Sequence, residues 1–305
     1  MLTKRDFTPV TIGDKNFFSN HYRKYPQVHS DNTFTNMVCW NPYAHYEYAY
    51  VHGNLVLSST IEEKTAFRPP IGNHDPRVLE DVMRLAVSEG DENPLVVIDP
   101  ASKAWISSLY PGLPFQPDRD YFEYVYRTRD LAELPGKKYQ TIRHQLNRFQ
   151  KNCMPVIEPV TAKNLNEVME FLVRWCEWRQ CEKEPWLAHE RDAVFYAVSH
   201  FMDLGLMGLA IRVNNGIGAI AIFEPLNETT AVVHFEKGLP ECEGIYKAVN
   251  AETAHLLLDR FEYINRESDM GVPGLREAKM RYQPDHLLEV YSVKKEDLRN
   301  VLPSV

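Results

Sequence analysis

The sequence lacks the features that define several common protein classes. No apolar run approaches the roughly 18 residues that a membrane-spanning helix needs, and the opening residues, MLTKRDFTPV, contain no apolar stretch typical of a secretory signal. There is no Walker loop, no GxSxG elbow and no HExxH motif. We therefore expect a globular, cytoplasmic protein with no transmembrane segment and no metal site. The sequence leaves the oligomeric state open.

Cysteine is scarce, and its spacing does not suggest a framework of disulfides or a zinc site. Five cysteines occur in 305 residues, with no CxxC pair: Cys39, Cys153, Cys176, Cys181 and Cys242. An odd number of scattered cysteines is typical of small core residues in a reducing compartment. We expect all five to be reduced.

One stretch near the middle of the chain contains no acidic residue, although the formal net charge of the protein is -8. Gly136–Lys151 reads GKKYQTIRHQLNRFQK, and at 3.6 residues per turn its apolar and basic residues separate onto two faces. The apolar face comprises Tyr139, Ile142, Leu146 and Phe149. The pattern predicts a basic amphipathic helix whose cations bind an anion, or alternatively a solvated surface helix. The cations expected to hold donor phosphates are Lys137, Lys138, Arg143 and Arg148.

Hydrophobic periodicity and turn residues predict a mixed α/β chain. In the first half they predict strands at Asn32–Trp40, Tyr43–Tyr50, Leu55–Ile61, Leu95–Ile98 and Tyr121–Tyr126, with helices at Pro76–Glu89 and Ala101–Leu109. In the second half they predict helices at Thr161–Arg179, His189–Leu204, Gly244–Leu258 and Leu275–Arg281, with strands at Leu206–Val213, Ile217–Phe223, Thr229–Phe235, Phe261–Asn265 and Leu287–Val293.

This order of elements in the second half is that of the GNAT acyltransferase fold, and the first half shows a looser version. The expected fold class is therefore α/β with mixed (α+β) sheets, in two tandem GNAT-like acyltransferase domains. We expect an N-terminal domain over residues 1–135, a basic linking helix over 136–152 and a C-terminal domain over 153–305.

The stretch Tyr263–Pro284, reading YINRESDMGVPGLREAKMRYQP, is the strongest candidate for chemistry. It follows a predicted strand and places ionisable residues around Gly271 and Gly274, which permit sharp turns. Lys279 is three residues from Tyr282 and is therefore its neighbour on a helix surface. A cation there can stabilise the oxyanion that develops on an acyl carbonyl. The alternative is a helix with scattered surface charges.

A second candidate is the segment His234-Phe-Glu-Lys237, which leads through a loop to Gly244-Ile-Tyr246. Because side chains alternate along a strand, His234 and Glu236 point to the same face. Either residue is a candidate general base for an incoming nucleophile. The alternative is a cross-strand polar pair on a half-exposed sheet.

These motifs together resemble the phosphatidylglycerol lysyltransferase C-terminal-like family. The resemblance covers nearly the whole chain and is carried by the Asp120–Tyr126 strand, LAELPGKK at 131–138, RHQLNRF at 143–149, HFEK at 234–237, EGIY at 243–246 and NRExDxGxxGLRxAKxxYxP at 265–284. It implies tandem GNAT-like domains. Related lysyl-phosphatidylglycerol synthases and Fem-type peptidyltransferases take an aminoacyl group from charged tRNA.

The resemblance also implies roles for individual residues. The family motif Gly-Leu-Arg-x-x-Lys-x-x-Phe/Tyr falls on Gly274, Leu275, Arg276, Lys279 and Tyr282, so that Lys279 would face the reacting carbonyl. With it we expect Glu236 and His234 as catalytic residues. The expected substrate-binding residues are Asn265, Arg266, Glu267, Asp269, Arg276, Tyr282, Gly244 and Tyr246.

The chain departs from acetyl-CoA-dependent GNAT enzymes in their pyrophosphate loop, (Gln/Arg)-x-x-Gly-x-(Gly/Ala). Here that place reads Glu241-x-x-Gly244-x-Tyr246, and Glu243 adds a further negative charge. Acids at a helix N-terminus repel a pyrophosphate. No cofactor is therefore firmly expected, and acyl-CoA is a disfavoured alternative.

The leading hypothesis is an aminoacyl or acyl transferase, with aminoacyl-tRNA as donor and an amine or hydroxyl on a small molecule or lipid headgroup as acceptor. One alternative is an acyl-CoA-dependent GNAT N-acyltransferase. The other is a non-catalytic GNAT-shaped module that binds a ligand, since fold does not imply function.

Overall fold

A computed structural model describes residues 2–302, which divide into two compact units. One unit comprises the described residues up to Phe122 and those from Leu288 onward, and the second comprises Glu123–Leu287. The division differs from the expected boundaries, because residues 123–135 and the basic helix lie inside the second unit. The chain also returns to the first unit at its end. Among residues 2–302, no helix is long and apolar enough to cross a bilayer.

Thirteen α-helices occur in the described part of the chain, besides short 3-10 turns. In chain order they are α1 Lys15–Lys24, α2 Phe34–Cys39, α3 Asn41–Ala44, α4 Pro76–Glu89, α5 Pro100–Leu109, α6 Thr128–Glu133, α7 Gln140–Cys153, α8 Leu165–Arg179, α9 Pro185–Ser199, α10 Phe201–Leu204, α11 Ile245–Leu257, α12 Pro273–Met280 and α13 Lys295–Val301.

The strands form two mixed sheets. In chain order they are β1 Thr8–Pro9, β2 Glu47–Val51, β3 Asn54–Ile61, β4 Lys64–Phe67, β5 Leu95–Ile98, β6 Gln116–Pro117, β7 Glu123–Arg127, β8 Val156–Pro159, β9 Met207–Val213, β10 Gly216–Pro225, β11 Thr230–Gly238, β12 Tyr263–Ser268, β13 His286–Leu288 and β14 Tyr291–Val293. The first sheet has the order β1-β2-β3-β4-β5-β14-β6, and the second β13-β7-β12-β11-β10-β9-β8.

Several elements form where local chemistry predicted them. Helix α4 begins at Pro76 after Asp75, whose side chain accepts a hydrogen bond from the backbone N–H of Arg77, as an N-cap should. The β9–β10 hairpin turns at Asn214-Asn215, which adopt the positive φ values that such turns require. The apolar face of the basic helix is buried at Tyr139, Ile142 and Phe149.

Two predicted strands are wrong. Residues 32–40 contain α2, all six residues of which are buried, so that no polar face reveals the helical period. Thr33 caps this helix by accepting a hydrogen bond from the backbone N–H of Asn36. The single strand expected at Leu287–Val293 is instead two short strands, one in each sheet.

Each sheet contains a parallel pair of strands with a helix between them in sequence. In the first sheet β4 and β5 pair at Phe67 and Leu95, and α4 connects them. In the second sheet β11 and β12 pair from Thr230–Val232 to Tyr263–Asn265, and α11 connects them. Beyond these residues β11 and β12 have no ladder pairing with each other, although both strands continue. This opening of the second sheet positions the candidate site.

The expectation of five reduced cysteines is wrong for one pair. Cys153 at the end of α7 and Cys242 before α11 form a disulfide; their Cα atoms are 6.2 Å apart, and the two residues are 89 positions apart in sequence. The packing of α7 against the start of α11 brings the two cysteines together. Cys39, Cys176 and Cys181 are free thiols, and the sulfur atoms of the last two lie 2.8 Å apart.

We predict that Cys153→Ala lowers the free energy of unfolding by about 2–4 kcal/mol, because a cross-link over a long loop restricts the unfolded chain. The measurement is urea unfolding without reductant, with wild type in dithiothreitol as the matched control. Reduced wild type should unfold at the same urea concentration as the variant. Equal stability of the variant and the unreduced wild type would contradict the cross-link.

Candidate functional site

The candidate site lies where β11 and β12 separate in the second unit. Polar side chains on both strands bridge this opening, namely His234 and Glu236 from β11 and Arg266 and Glu267 from β12. The carboxyl ends of parallel strands are a common place for ligand binding in α/β proteins, because loops and helix ends converge there. Of the residues predicted from sequence, the structure brings together His234, Glu236, Arg266, Glu267, Asn265, Asp269, Arg276, Lys279 and Tyr282.

Arg266 and Glu236 form an ion pair across the opening. The Nε atom of Arg266 lies 3.2 Å from Oε2 of Glu236, and its Nη2 atom also donates to that oxygen. Burial lowers the pKa of Arg266, but the Glu236 carboxylate outweighs this effect and raises it. The Nη1 atom of Arg266 is buried and has no acceptor among the described residues. The other oxygen of Glu236 accepts a hydrogen bond of 3.3 Å from the Asn250 amide.

The guanidinium of Arg266 is also enclosed by aromatic rings. The ring centres of Tyr282 and Tyr126 lie 5.0 and 5.8 Å from its central carbon, which is within the range of cation–π attraction. Burial raises the pKa of Tyr282 to about 12. The tyrosine hydroxyls therefore stay neutral at physiological pH.

His234 lies between two carboxylates. Its Nε2 atom is 2.9 Å from Glu224 and its Nδ1 atom is 2.9 Å from Glu267. Burial lowers the pKa of His234, but its hydrogen bonds to the carboxylates of Glu224 and Glu267 prevail and raise the pKa to about 10. Both ring nitrogens therefore carry hydrogen at neutral pH, and the ring has no lone pair to accept a proton. This geometry does not suit the general-base role expected for His234.

Lys279 is held by the backbone at the end of β12. Its Nζ atom donates to three consecutive carbonyl oxygens, those of Arg266 at 2.5 Å, Glu267 at 3.1 Å and Ser268 at 2.6 Å. The residue is 8% exposed. Burial, together with the charge of Arg266, lowers the pKa of Lys279 to about 8. A protein ligand thus occupies each of its three N–H donors.

A second ion pair, between buried Asp269 and partly exposed Arg276, fixes the loop after β12. The carboxylate of Asp269 accepts two hydrogen bonds from Arg276, at 2.8 and 2.9 Å, one of 2.5 Å from the Tyr124 hydroxyl and one of 2.9 Å from the Gly271 N–H. Burial opposes ionisation of Asp269, but these donors hold its pKa well below the usual range. Asp269 and Arg276 thus shape the loop.

Asn265 stabilises the backbone of β12 through its side-chain hydrogen bonds. Its amide donates to buried Glu123 at 2.5 Å, and its side-chain oxygen accepts the Glu267 N–H at 2.8 Å. Glu267 has a φ of +58°, which is uncommon for a residue with a side chain. The hydrogen bond from its N–H holds this turn in place.

Gly244 and Tyr246 lie at the start of α11, where they contact residues of α7 and α8. Gly244 has a φ of +95°, and a Cβ there would come within 3.0 Å of the Gln145 carbonyl oxygen of α7. The Tyr246 hydroxyl accepts a hydrogen bond of 3.3 Å from the Trp175 indole. The backbone of α7 therefore lies close against this helix end.

The cations of the basic helix are largely engaged within the protein. Lys138 pairs with Asp130 at 3.5 Å, and Arg148 pairs with Glu243 at 2.8 Å. Arg143 donates to the carbonyl oxygens of Leu134 and Gly136. Lys137 is exposed. The two ion pairs are themselves exposed, and such pairs contribute little to stability.

Sequence reasoning missed Glu123, Tyr124, Tyr126, Glu224 and Asn250. Glu123 and the two tyrosines lie on β7, where all three are buried. A glutamate inside a run of buried aromatic residues was the signal that marks an internal partner. Glu224 and Asn250 gave no comparable signal. Within residues 2–302, no group of His, Cys, Asp and Glu is arranged to hold a metal ion.

Comparison with known proteins identifies the family. A family model described as phosphatidylglycerol lysyltransferase, C-terminal, matches residues 22–294. The chain belongs to this family. A curated relative, an uncharacterised protein of Mycoplasmoides gallisepticum, is 22% identical over 76% of this chain and 75% of its own length.

Several solved structures share the fold of this chain. A conserved protein of unknown function from Bacteroides thetaiotaomicron is 31% identical, with a TM-score of 0.87 over 94% of this chain and 98% of that chain. The C-terminal domain of a putative lysylphosphatidylglycerol synthetase from Agrobacterium fabrum is 13% identical, with a TM-score of 0.65 over 95% of each chain. FemX is 7% identical, with a TM-score of 0.56 over 97% of this chain and 99% of its own. The expected α/β class with two tandem GNAT-like units is confirmed.

We predict that His234 makes the protein less stable as the pH rises from about 6.5 to about 8. Because the pKa of His234 is raised from 6.5 to about 10, the folded state binds more protons than the unfolded state in this range. Above pH 8 the lowered pKa of Lys279 acts in the opposite direction and flattens the curve. Urea unfolding at several pH values measures the effect.

The variant His234→Gln should lose this slope, which is at most about 1.4 kcal/mol per pH unit. The variant His255→Gln, which changes a half-exposed histidine of α11, is the matched control and should keep it. If His234→Gln and wild type show the same pH dependence, His234 is not held as the imidazolium.

Proposed function

We propose that the protein transfers an aminoacyl group from an aminoacyl-tRNA to an amine or hydroxyl acceptor. Membership of the phosphatidylglycerol lysyltransferase C-terminal family supports this class of reaction. The observation that carries the proposal is the position of Lys279, the lysine of the Gly-Leu-Arg-x-x-Lys-x-x-Tyr motif. It lies buried beside the ion pair of Arg266 and Glu236, where β11 and β12 separate.

In this proposal, Lys279 polarises the carbonyl of the donor ester. The ester oxygen replaces one of the three backbone oxygens that now accept from Nζ. As the acceptor attacks, negative charge develops on the carbonyl oxygen, and a buried cation stabilises that charge strongly because water is excluded. Arg266, whose Nη1 atom is buried without an acceptor in the described chain, adds positive charge at the same place.

Glu236 is the proposed general base. One of its oxygens is held by Arg266, and the other accepts a single long hydrogen bond from Asn250, which leaves it capacity to accept a proton. The attacking amine or hydroxyl gives its proton to Glu236 as the new amide or ester bond forms. The donor ester bond then breaks, and the proton passes to the 3′ or 2′ oxygen of the departing tRNA.

The cations of the basic helix are the proposed contacts for the phosphates of the donor tRNA. We assign phosphate contacts to Lys137, Lys138 and Arg148, because Lys137 is exposed and the other two form only exposed ion pairs, which contribute little to stability and can exchange for phosphate. Arg143 is assigned only a supporting role, since it donates hydrogen bonds to two backbone carbonyls.

A lipid headgroup or a small molecule is the proposed acceptor. Because charged tRNA is made in the cytoplasm, we propose that the protein acts there.

Acyl-CoA is a weaker donor candidate for a steric reason as well as an electrostatic one. The start of α11, where GNAT enzymes bind pyrophosphate, is covered by the Gln145 carbonyl and the Phe149 side chain of α7. Glu243 lies next to this helix end and pairs with Arg148. A carbonyl oxygen and a carboxylate near a helix N-terminus oppose the binding of an anion.

The test is a transfer assay. Purified protein is mixed with tRNA carrying labelled amino acids, together with total lipid and soluble metabolite extracts, and the label is followed into products. We predict that wild type forms a labelled product and that Lys279→Met forms it about 10²–10³-fold more slowly. Glu277→Gln, on the exposed face of the same helix, is the matched control and should retain full activity.

Three outcomes decide between the candidate functions. If the label stays on tRNA while a parallel assay shows transfer from acyl-CoA, the donor is acyl-CoA and not an aminoacyl-tRNA. No transfer from either donor would leave a ligand-binding module. Full activity of Lys279→Met, with loss of activity in Glu236→Gln, would remove Lys279 from the chemistry and keep the site.

We predict that Lys137→Glu with Lys138→Glu weakens tRNA binding and reduces its dependence on salt. Each phosphate contact releases counterions, so the loss of two contacts should lower the slope of log K against log salt by about 1.5–2. Filter binding at several salt concentrations measures this slope. Lys163→Glu with Lys183→Glu serves as a control outside the basic helix, and an equal slope change in both would show a general charge effect.

A further inference from the structure

The first unit contains a buried arginine whose charge has no carboxylate partner. Arg68 follows directly after β4, at the end of the parallel pair with β5, and is 3% exposed. Its Nη1 atom donates to two neutral acceptors, the Asp31 carbonyl at 2.6 Å and the Asn32 side-chain oxygen at 2.9 Å. No ion pair to Arg68 forms within residues 2–302. Burying an uncompensated charge is costly, and binding an anion removes that cost.

A second unsatisfied group lies in the same cluster. The hydroxyl of Tyr22, on α1, is buried and has no hydrogen-bond partner in the described chain, and the Nε atom of Arg68 is likewise buried without an acceptor. Burial raises the pKa of Tyr22, and the charge of Arg68 opposes the shift, as expected for neighbouring groups. The Tyr46 ring lies 5.1 Å from the guanidinium. The Tyr22 hydroxyl and the Arg68 Nε atom are therefore buried donors without an acceptor in the described chain, and an aromatic ring lies against the guanidinium.

Carboxylates also surround this cluster, since Asp31 and Arg68 both act on the pKa of Tyr46. Asp31, whose backbone contacts Arg68, has its carboxylate 3.9 Å from His29, and His29 in turn contacts the Tyr121 carbonyl at 3.2 Å. Burial, together with the charges of Asp120 and Asp31, raises the pKa of Asp118. A polyphosphate would be repelled by these acids. A ligand that carries an ammonium group beside its anionic group matches both signs of charge.

We propose that this cluster binds a small zwitterion of the amino-acid type. Its carboxylate accepts hydrogen bonds from Arg68 and Tyr22, and its ammonium group faces the carboxylates of Asp31 and Asp118. An arginine is suited to this task because its planar donors match the two oxygens of a carboxylate. The site lies wholly within the first unit and does not depend on the proposed transfer reaction.

The test is thermal unfolding of the full chain with single added probes. The probes are the twenty amino acids, with acetate and pyrophosphate as anions without an ammonium group and ethylamine as a cation without a carboxylate. At a concentration about 100-fold above Kd, at least one amino acid should raise Tm by about 5 °C, and the other three probes should not. No shift with any amino acid, or an equal shift with pyrophosphate, would overturn the proposal.

Two variants separate ligand binding from a structural role. Tyr22→Phe removes a hydroxyl that has no partner, so the Tm of the ligand-free protein should stay the same or rise, while amino-acid affinity falls about 10-fold. Arg68→Lys keeps the charge but loses the planar donors and should weaken binding at least as much. Tyr50→Phe, at an exposed tyrosine of β2, is the matched control. A lower ligand-free Tm for Tyr22→Phe, with unchanged affinity, would make the cluster purely structural.

Discussion

The site in the second unit depends on one lysine held by three consecutive carbonyl oxygens. Where β12 leaves β11, the carbonyls of Arg266, Glu267 and Ser268 all turn to the Lys279 ammonium. Backbone carbonyls buried without a donor are costly, and so is a buried ammonium without acceptors. Each group satisfies the other. The two strands can therefore diverge inside the protein, and the space between them is filled by charged side chains instead of a ladder.

The other charged side chains of the site form three ionic groups near this lysine. His234 joins Glu224 and Glu267, Arg266 joins Glu236, and Arg276 joins Asp269 in the loop that follows. In a buried network of this kind, removing one member leaves its partner charged and unpaired, which is strongly destabilising. The same low dielectric makes a correctly placed cation effective toward an oxyanion. The exclusion of water thus makes these charges costly to bury and also strengthens their electrostatic effects.

The sequence allowed prediction of the elements whose signals are local. Helix α4 was predictable from Asp75 and Pro76, and the β9–β10 hairpin from its Asn-Asn-Gly turn. Helix α2 was not, because a helix buried on every side shows no period. The motif at 265–284 located the candidate site, but the imidazolium state of His234 was hidden, since its partners Glu224 and Glu267 lie 10 and 33 positions away.

Long-range pairing also explains the other differences. The disulfide joins cysteines 89 positions apart, and no spacing rule connects them. The basic helix was correctly located by its two faces, yet the acids that engage Lys138 and Arg148 come from other elements. The boundaries between the units depend on which sheet contains β7 and which contains β14. Both strands pair with strands that are distant in sequence, and local periodicity does not predict such pairing.

The most direct test of the account is a crystal structure with a non-hydrolysable donor analogue, an aminoacyl-adenosine whose ester is replaced by an amide. The account predicts that the analogue binds in the opening between β11 and β12. Its carbonyl oxygen should lie within hydrogen-bonding distance of the Lys279 ammonium, in place of one backbone oxygen. An analogue bound elsewhere, with Lys279 still donating to all three carbonyls, would contradict the central claim.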